Sequence, residues 1–119
     1  MADNSTVRRP AVCAALLTLV ACGPSHEDLV LRSLPELERV AETIGPDASG
    51  KRTIAGIEFL DVYRFRDRVY FVTGEAVEGV DPFGYVWSPK KPPAHEINGG
   101  AASTFEHLRG EWYSWSASY

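Results

Sequence analysis

The stretch Ile57–Thr73, IEFLDVYRFRDRVYFVT, decides the fold class of this chain. It contains two runs of β-branched and aromatic residues, 57–65 and 68–73, which predict two β-strands. Arg66-Asp67 between the runs is the predicted tip of a hairpin. The tip lacks the glycine that a tight turn prefers, so a longer loop or a bulge stays open. Apolar residues fall on both faces of the first run, which is typical of a strand covered on both sides.

Two segments downstream extend the predicted sheet. Residues 74–79 are rich in turn-forming residues, and Asp81-Pro82 starts another turn. Residues 83–88, FGYVWS, then predict a third strand. Gly84 within that strand indicates a bulge or close packing by an aromatic ring.

The C-terminal part alternates loop and strand patterns. The proline-rich residues 88–93 predict an extended loop, and residues 94–103, with their Asn-Gly-Gly, predict a mobile loop. Residues 104–108 are ambiguous. Residues 111–118, EWYSWSAS, predict a closing strand.

An amphipathic helix precedes the sheet. Five apolar residues recur at three- and four-residue spacing: Leu34, Leu37, Val40, Ala41 and Ile44. This pattern predicts a helix over residues 34–44 with one apolar face. Gly45-Pro46 ends it.

The start of the helix has two alternatives. Ser33 followed by Glu36 fits a capping box, with Pro35 in the first turn. Ser25 and Asp28 instead fit an earlier start, with Pro35 as a kink.

Together these segments predict an α+β fold, with one amphipathic helix packed on a small antiparallel sheet of three to five strands. All thirteen aromatic residues lie in the second half of the chain, from Phe59 onward. The predicted organisation is a signal peptide over 1–21, a tether over 22–27 and a single domain over 28–119.

The first twenty-one residues are organised like a secretory signal peptide. Arg8 and Arg9 precede an uncharged run over residues 11–21, AVCAALLTLVA. Eleven helical residues span roughly 16 Å, about half the thickness of a bilayer core. The run is therefore too short for a transmembrane helix, and the small residue Ala21 at its end suits a cleavage site.

Leu19-Val20-Ala21-Cys22 resembles the lipobox of bacterial lipoproteins at all four positions. The resemblance implies a diacylglyceryl group on the sulfur of Cys22 and cleavage between Ala21 and Cys22. It implies a protein held in the cell membrane or the outer membrane and facing outside the cytoplasm. An ordinary secreted protein and an uncleaved anchor are the alternatives. The other cysteine, Cys13, leaves with the signal peptide, so no disulfide is expected.

A second resemblance concerns the mature part. Three segments are similar to segments of small actinobacterial proteins: 85–89 (YVWSP), 105–108 (FEHL) and 112–115 (WYSW). It implies no activity.

The charge of the chain excludes some partners. A net charge of −4 argues against nucleic acid and against electrostatic docking on anionic lipid. Lys90 and Lys91 form a small basic loop, either solvated or in contact with lipid headgroups or an acidic polymer. No P-loop or dinucleotide motif is present, so no cofactor is expected.

Four large rings form a candidate binding surface: Tyr85, Trp87, Tyr113 and Trp115. Such rings bind a glycan or a protein ligand when they are exposed in a row. The alternative is that they fill a small core. Strand alternation places Tyr113 and Trp115 on one face of the last strand and Trp112 on the other. That strand therefore exposes a large ring unless both faces are covered.

An acidic cluster supports the alternative function. Glu75, Glu78 and Asp81, acting with His107, have the groups for a small envelope hydrolase of glycan or peptide. The simpler interpretation of the cluster is a solvated loop. His95 and His107 lack metal-ligand spacing, and no serine has a nucleophile elbow. The sequence therefore favours a lipid-anchored envelope protein with a binding or structural role and no enzymatic activity.

Overall fold

The structure is a computed structural model, which describes residues 25–77, 80–98 and 101–118. The predicted signal peptide, its cleavage site at Ala21 and the lipidation site Cys22 lie outside these residues, as does Glu78. The chain divides into two compact units between Arg32 and Ser33.

The described residues form two helices and eight strands. The helices are α1 (His26–Arg32) in the first unit and α2 (Leu34–Thr43) in the second. The strands are β1 (Arg52–Ile54), β2 (Ile57–Phe59), β3 (Asp61–Phe65), β4 (Arg68–Val77), β5 (Val80–Trp87), β6 (Glu96–Asn98), β7 (Ala101–Arg109) and β8 (Trp112–Ser118).

The strands form two antiparallel sheets. β1 and β2 make a two-stranded sheet, and the other six strands make a sheet in the order β3-β4-β5-β8-β7-β6. The mixed class, dominated by antiparallel sheet, is as predicted. The expectation of one helix and at most five strands is wrong, because the earlier helical start forms a separate helix, α1, and because the β1–β2 hairpin and β6 were not anticipated.

Helix α1 begins with a reciprocal capping box. The Ser25 hydroxyl accepts from the Asp28 amide at 3.1 Å, and the Asp28 carboxylate accepts from the Ser25 amide at 3.3 Å. Two of the amide groups that a helix start leaves without partners are thereby satisfied. The earlier helix start is therefore confirmed, although the chain breaks at Ser33 into two helices instead of kinking at Pro35.

Helix α2 begins without a capping box. The Ser33 side chain makes no capping hydrogen bond, and its carbonyl oxygen instead accepts from the amides of Glu36 at 3.0 Å and Leu37 at 2.9 Å. The Ser33–Glu36 box is therefore wrong, since α1 ends so close that Ser33 takes a turn conformation. The predicted helix itself is confirmed over 34–43, with Leu34, Leu37 and Ala41 buried.

Arg64 of β3 holds the C-terminal end of α2. Its guanidinium donates to the carbonyl oxygens of Ile44 at 2.7 Å and Ala41 at 3.0 Å. A helix C-terminus carries partial negative charge and unpaired carbonyl groups, both of which favour a cation. The contact places this end of α2 on the side of the sheet that bears Arg64, which we call the helix side.

Two tight hairpins flank β2 and β3. Between β1 and β2, Ala55 and Gly56 both have positive φ angles, of 54° and 78°. Between β3 and β4, Phe65 pairs directly with Arg68, so that Arg66-Asp67 is a two-residue tip. The predicted tip is confirmed, with Arg66 in place of glycine at φ 59°. The predicted strand 57–65 is split, since Leu60 bends the chain between the two sheets.

Three segments assigned to turns or loops lie in strands. β4 continues through Gly74 to Val77, and β5 includes Asp81 and Pro82, with Glu75 paired to Pro82. The predicted loop over 94–103 contributes β6 and the start of β7, and the ambiguous residues 104–108 lie within β7. Cross-strand pairing outweighs the turn preference of Gly, Asp and Asn in these segments.

Gly84 is needed where β4 and β5 approach each other. The register shifts between Val72 and Gly74, and a Cβ atom at Gly84 would lie 2.0 Å from the carbonyl oxygen of Phe71. The bulge predicted at Gly84 lies instead in the neighbouring strand, at Thr73 of β4, and the close neighbour of Gly84 is backbone and not an aromatic ring.

The closing strand of the sequence occupies the middle of the sheet. β8 pairs with β5 on one side and with β7 on the other. The loop over 88–93 that precedes β6 is confirmed, and the Ser88 hydroxyl closes its first turn by donating to the Lys91 carbonyl at 2.6 Å.

Candidate functional site

The register of the six strands sorts their large side chains onto two sides. The helix side bears Val62, Val69, Phe71, Tyr85, Trp87 and Trp112. The opposite side, which we call the far side, bears Tyr63, Tyr70, Val86, Tyr113 and Trp115. Both sides of the central strands are thus lined with rings.

The four rings of the candidate binding surface are divided between the two sides. Tyr85 and Trp87 lie on the helix side and are 8% and 7% exposed. Trp115 lies on the far side and is 6% exposed, and Tyr113 beside it is half-buried. The structure therefore does not bring them into one exposed row, and of the four only Tyr113 presents a substantial surface.

Rings on the helix side pack against the β1–β2 hairpin and against each other. Phe59 meets Phe71 edge-on with 5.4 Å between ring centroids, and Phe71 lies 5.4 Å from Trp112. The indole N–H groups of Trp87 and Trp112 are buried and have no hydrogen-bond partner within the described part of the chain. These rings contribute apolar area to the core rather than a polar contact.

Rings on the far side pack around Tyr70. Its ring stacks on Tyr63 at 5.1 Å and meets Trp115 edge-on at 4.9 Å. Arg68 donates to the Tyr70 hydroxyl at 3.0 Å, and its guanidinium lies 5.5 Å from the ring centre of Phe105. Arg68 of β4 thereby reaches across β5 and β8 to a ring of β7.

The acidic cluster and His107 lie at opposite ends of the sheet. Glu75 and Asp81 belong to the β4–β5 hairpin, whereas His107 is in register, through β8 and β5, with Tyr70. Glu75 is five residues beyond Tyr70, or about 16 Å along the strand, and three strand spacings add about 14 Å across the sheet. The structure therefore does not bring these hydrolase candidates together.

His107 of β7 and His95, which precedes β6, have local partners. His107 Nε2 lies 2.9 Å from the carbonyl oxygen of Gly110, and its ring centre lies 5.1 Å from that of Tyr113. His95 Nδ1 accepts from the amide of Phe105 at 3.4 Å. Within residues 25–77, 80–98 and 101–118, no group of three His, Cys, Asp or Glu side chains is placed to hold a metal ion.

One end of the sheet brings three basic segments together. The Lys90 ammonium lies 3.6 Å from the Asp67 carboxylate, which joins the loop after β5 to the β3–β4 tip. The Ser88 amide donates to the Glu111 carbonyl at 2.8 Å, which joins the same loop to the β7–β8 turn. These segments are far apart in sequence and form one continuous surface in the fold.

We call this surface the basic end. Its charged residues are Arg66, Asp67, Arg68, Lys90, Lys91, Arg109 and Glu111. Five are basic and two are acidic, although the chain as a whole has a net charge of −4. From residue 60 to the C-terminus, every Lys and Arg belongs to this end, except Arg64, which faces α2 nearby. The sequence alone predicted only the basic loop of Lys90 and Lys91.

No helix among the described residues has both the length and the apolar character needed to cross a membrane. Comparisons with protein-family models, with curated proteins and with solved structures found no match.

Proposed function

We propose that this chain is a lipid-anchored cell-envelope protein with a binding or structural role outside the cytoplasm. The observation that carries the proposal is the match of Leu19-Val20-Ala21-Cys22 to a lipobox behind Arg8, Arg9 and a short apolar run. A diacylglyceryl group on the Cys22 sulfur would hold the protein. At about 0.8 kcal/mol per buried CH₂, two long chains give an effectively permanent attachment.

The start of the folded chain supports this proposal. Helix α1 begins at His26, so only residues 23–25 separate it from Cys22. Three extended residues reach about 10 Å. The capping box of Ser25 and Asp28 fixes the helix start at this point. Helix α1 would therefore start close to the bilayer that carries the anchor, with a shorter tether than residues 22–27.

The distribution of side chains supports a binding or structural role over the alternative hydrolase. Glu75 and Asp81 lie about 16 Å along the strands from His107, with further strands between them. General acid and base groups must both reach the scissile bond, which this separation prevents. A hydrolase that acts through these residues has no geometric support.

The test of anchoring uses the two cysteines of the chain as a matched pair. Cys22→Ala removes the proposed lipid site, and Cys13→Ala alters only the predicted signal peptide. We expect radiolabelled palmitate to enter the parent chain and Cys13→Ala, but not Cys22→Ala. Intact mass of the membrane-extracted protein should show loss of residues 1–21 and gain of lipid. Equal labelling of the Cys22→Ala variant, or an unmodified full-length mass, would refute the proposal.

A further inference from the structure

We propose that the basic end is a docking surface for anionic lipid headgroups of the membrane that holds the anchor. The inference rests on the proposed function, because it supposes that the domain is tied to a bilayer. It goes further by naming the surface that faces the bilayer and the lipid chemistry that this surface recognises.

Charge segregation along the strands is the first argument. The basic end has five cations and two carboxylates, and four of the cations are exposed, since Arg68 is buried against Tyr70 and Phe105. Between Arg68 and Lys90 the chain contains three acidic residues and no basic one, and Glu75 and Asp81 of that segment lie at the opposite end of the sheet. An anionic surface would attract the basic end, whereas at the opposite end Lys51 and Arg52 are offset by Asp61, Glu75 and Asp81. The net charge of the chain, which argued against docking on anionic lipid, conceals this separation.

The accessibility of the cations is the second argument. Arg66, Lys91 and Arg109 are exposed, and the Lys90 side chain is 71% exposed. Lys90 pairs with Asp67, whose side chain is 64% exposed, and such a solvent-exposed pair holds its partners only weakly. Lys90 can therefore exchange this carboxylate for a lipid phosphate.

The rings around the basic end suit a lipid interface. Phe65 and Tyr113 are half-buried, and the Arg66 guanidinium lies 4.9 Å from the ring centre of Phe65. Aromatic rings with one apolar and one wet face, next to long basic side chains, are favoured at the headgroup level of a bilayer.

The short tether decides between a membrane and a soluble polyanion. Only residues 23–32 separate Cys22 from the second unit, and α1 accounts for seven of them, so the chain length alone keeps that unit near the headgroups. Anionic lipid would thus be present at high local concentration, whereas a soluble polyanion would have to diffuse in. The four exposed cations exceed the two carboxylates by two charges, which corresponds to a preference for anionic over neutral lipid on the order of 30-fold.

The experiment measures which surface lies at the headgroups. The lipidated protein is reconstituted into vesicles of phosphatidylcholine alone or mixed with phosphatidylglycerol. A fluorophore is attached to a cysteine at either of two exposed positions, Pro92→Cys beside the lysines or Thr53→Cys in β1. A quencher on the lipid headgroups then reports proximity, and co-sedimentation reports anchoring separately.

We expect phosphatidylglycerol to increase quenching at position 92 but not at position 53, and high salt to reverse the increase. Lys90→Glu with Lys91→Glu should abolish the increase. The matched control is Lys51→Glu with Arg52→Glu, which makes the same charge change at exposed sites near Asp61, at the other end of β3. That control should keep the increase.

The failures of the two proposals are distinguishable. Protein that carries no lipid and does not co-sediment overturns the proposed function. Protein that co-sediments, but shows equal quenching at both positions or no dependence on phosphatidylglycerol, overturns docking alone. The third arm adds soluble polyphosphate to the protein in phosphatidylcholine vesicles. If polyphosphate changes the fluorescence of the label at position 92 and phosphatidylglycerol does not, the basic end binds a soluble polyanion. That result would also overturn docking on lipid.

Discussion

Replacing Gly84 with alanine tests the closest backbone approach in the sheet. The new Cβ would lie 2.0 Å from the Phe71 carbonyl oxygen, and 3.0 Å from both the Phe71 carbonyl carbon and the Thr73 nitrogen. All three atoms belong to the backbone of β4, so no side-chain rotation relieves the overlap. β4 and β5 would have to separate by about 1 Å to reach the shortest contact that real Cβ atoms show.

The cost of that separation follows from the position of the strands. Both strands lie inside the six-stranded sheet, and Phe71 next to the contact is fully buried. Overpacking a core costs about 1–3 kcal/mol, and a rigid backbone contact places Gly84→Ala near 3 kcal/mol. For a domain of this size the melting temperature should fall by about 12–24 °C.

Urea unfolding followed by tryptophan fluorescence measures this loss. Gly45→Ala is the matched control, because its Cβ meets nothing within 4 Å and its φ is not positive. The control should gain about 0.4–1 kcal/mol, since alanine has less freedom than glycine in the unfolded chain. If the free energies of unfolding of the two variants agree to within about 0.5 kcal/mol, the close approach at Gly84 does not exist.

Two further substitutions test local features of the fold. Arg64→Met removes both hydrogen bonds to the last carbonyl groups of α2 and should lower the free energy of unfolding, measured by urea titration, by about 2 kcal/mol. Arg64→Lys keeps the positive charge and should lose less stability than Arg64→Met. A loss for Arg64→Met no larger than that for Arg64→Lys would contradict this role. Ala55→Gly relieves a positive φ of 54° at an exposed turn and should raise the free energy of unfolding by about 1 kcal/mol, seen as a higher melting temperature. An unchanged or lower melting temperature would contradict backbone strain at Ala55.

The fold was predictable where local patterns and pairing agree. The α2 helix, the Arg66-Asp67 tip and the strand around Gly84 follow from periodicity, β-propensity and glycine placement. Residues 94–103 and Asp81-Pro82 were not predictable, because turn-forming residues there are held in strands by partners distant in sequence. Ser33 was misassigned because two capping boxes compete, and only the fold shows which one forms.

The candidate surface was less predictable than the fold. Sequence alternation identified Tyr113 and Trp115 as neighbours on one face, and the register confirms that placement. It did not reveal that Tyr85 and Trp87 lie on the opposite side. The basic end was hidden for a related reason: net charge is a sum over the chain, whereas docking depends on where each charge lies. Only strand pairing brings Lys90 and Arg109 to the same end of the sheet.

The position of β8 has a consequence for biogenesis. Strand β8 joins the two halves of the sheet and follows the other seven described strands in sequence, so β3, β4 and β5 cannot be linked to β7 before β8 has been made. Export through a translocation channel needs an extended polypeptide. For a chain exported as we propose, a sheet that cannot close before β8 is made would delay folding and favour passage through such a channel.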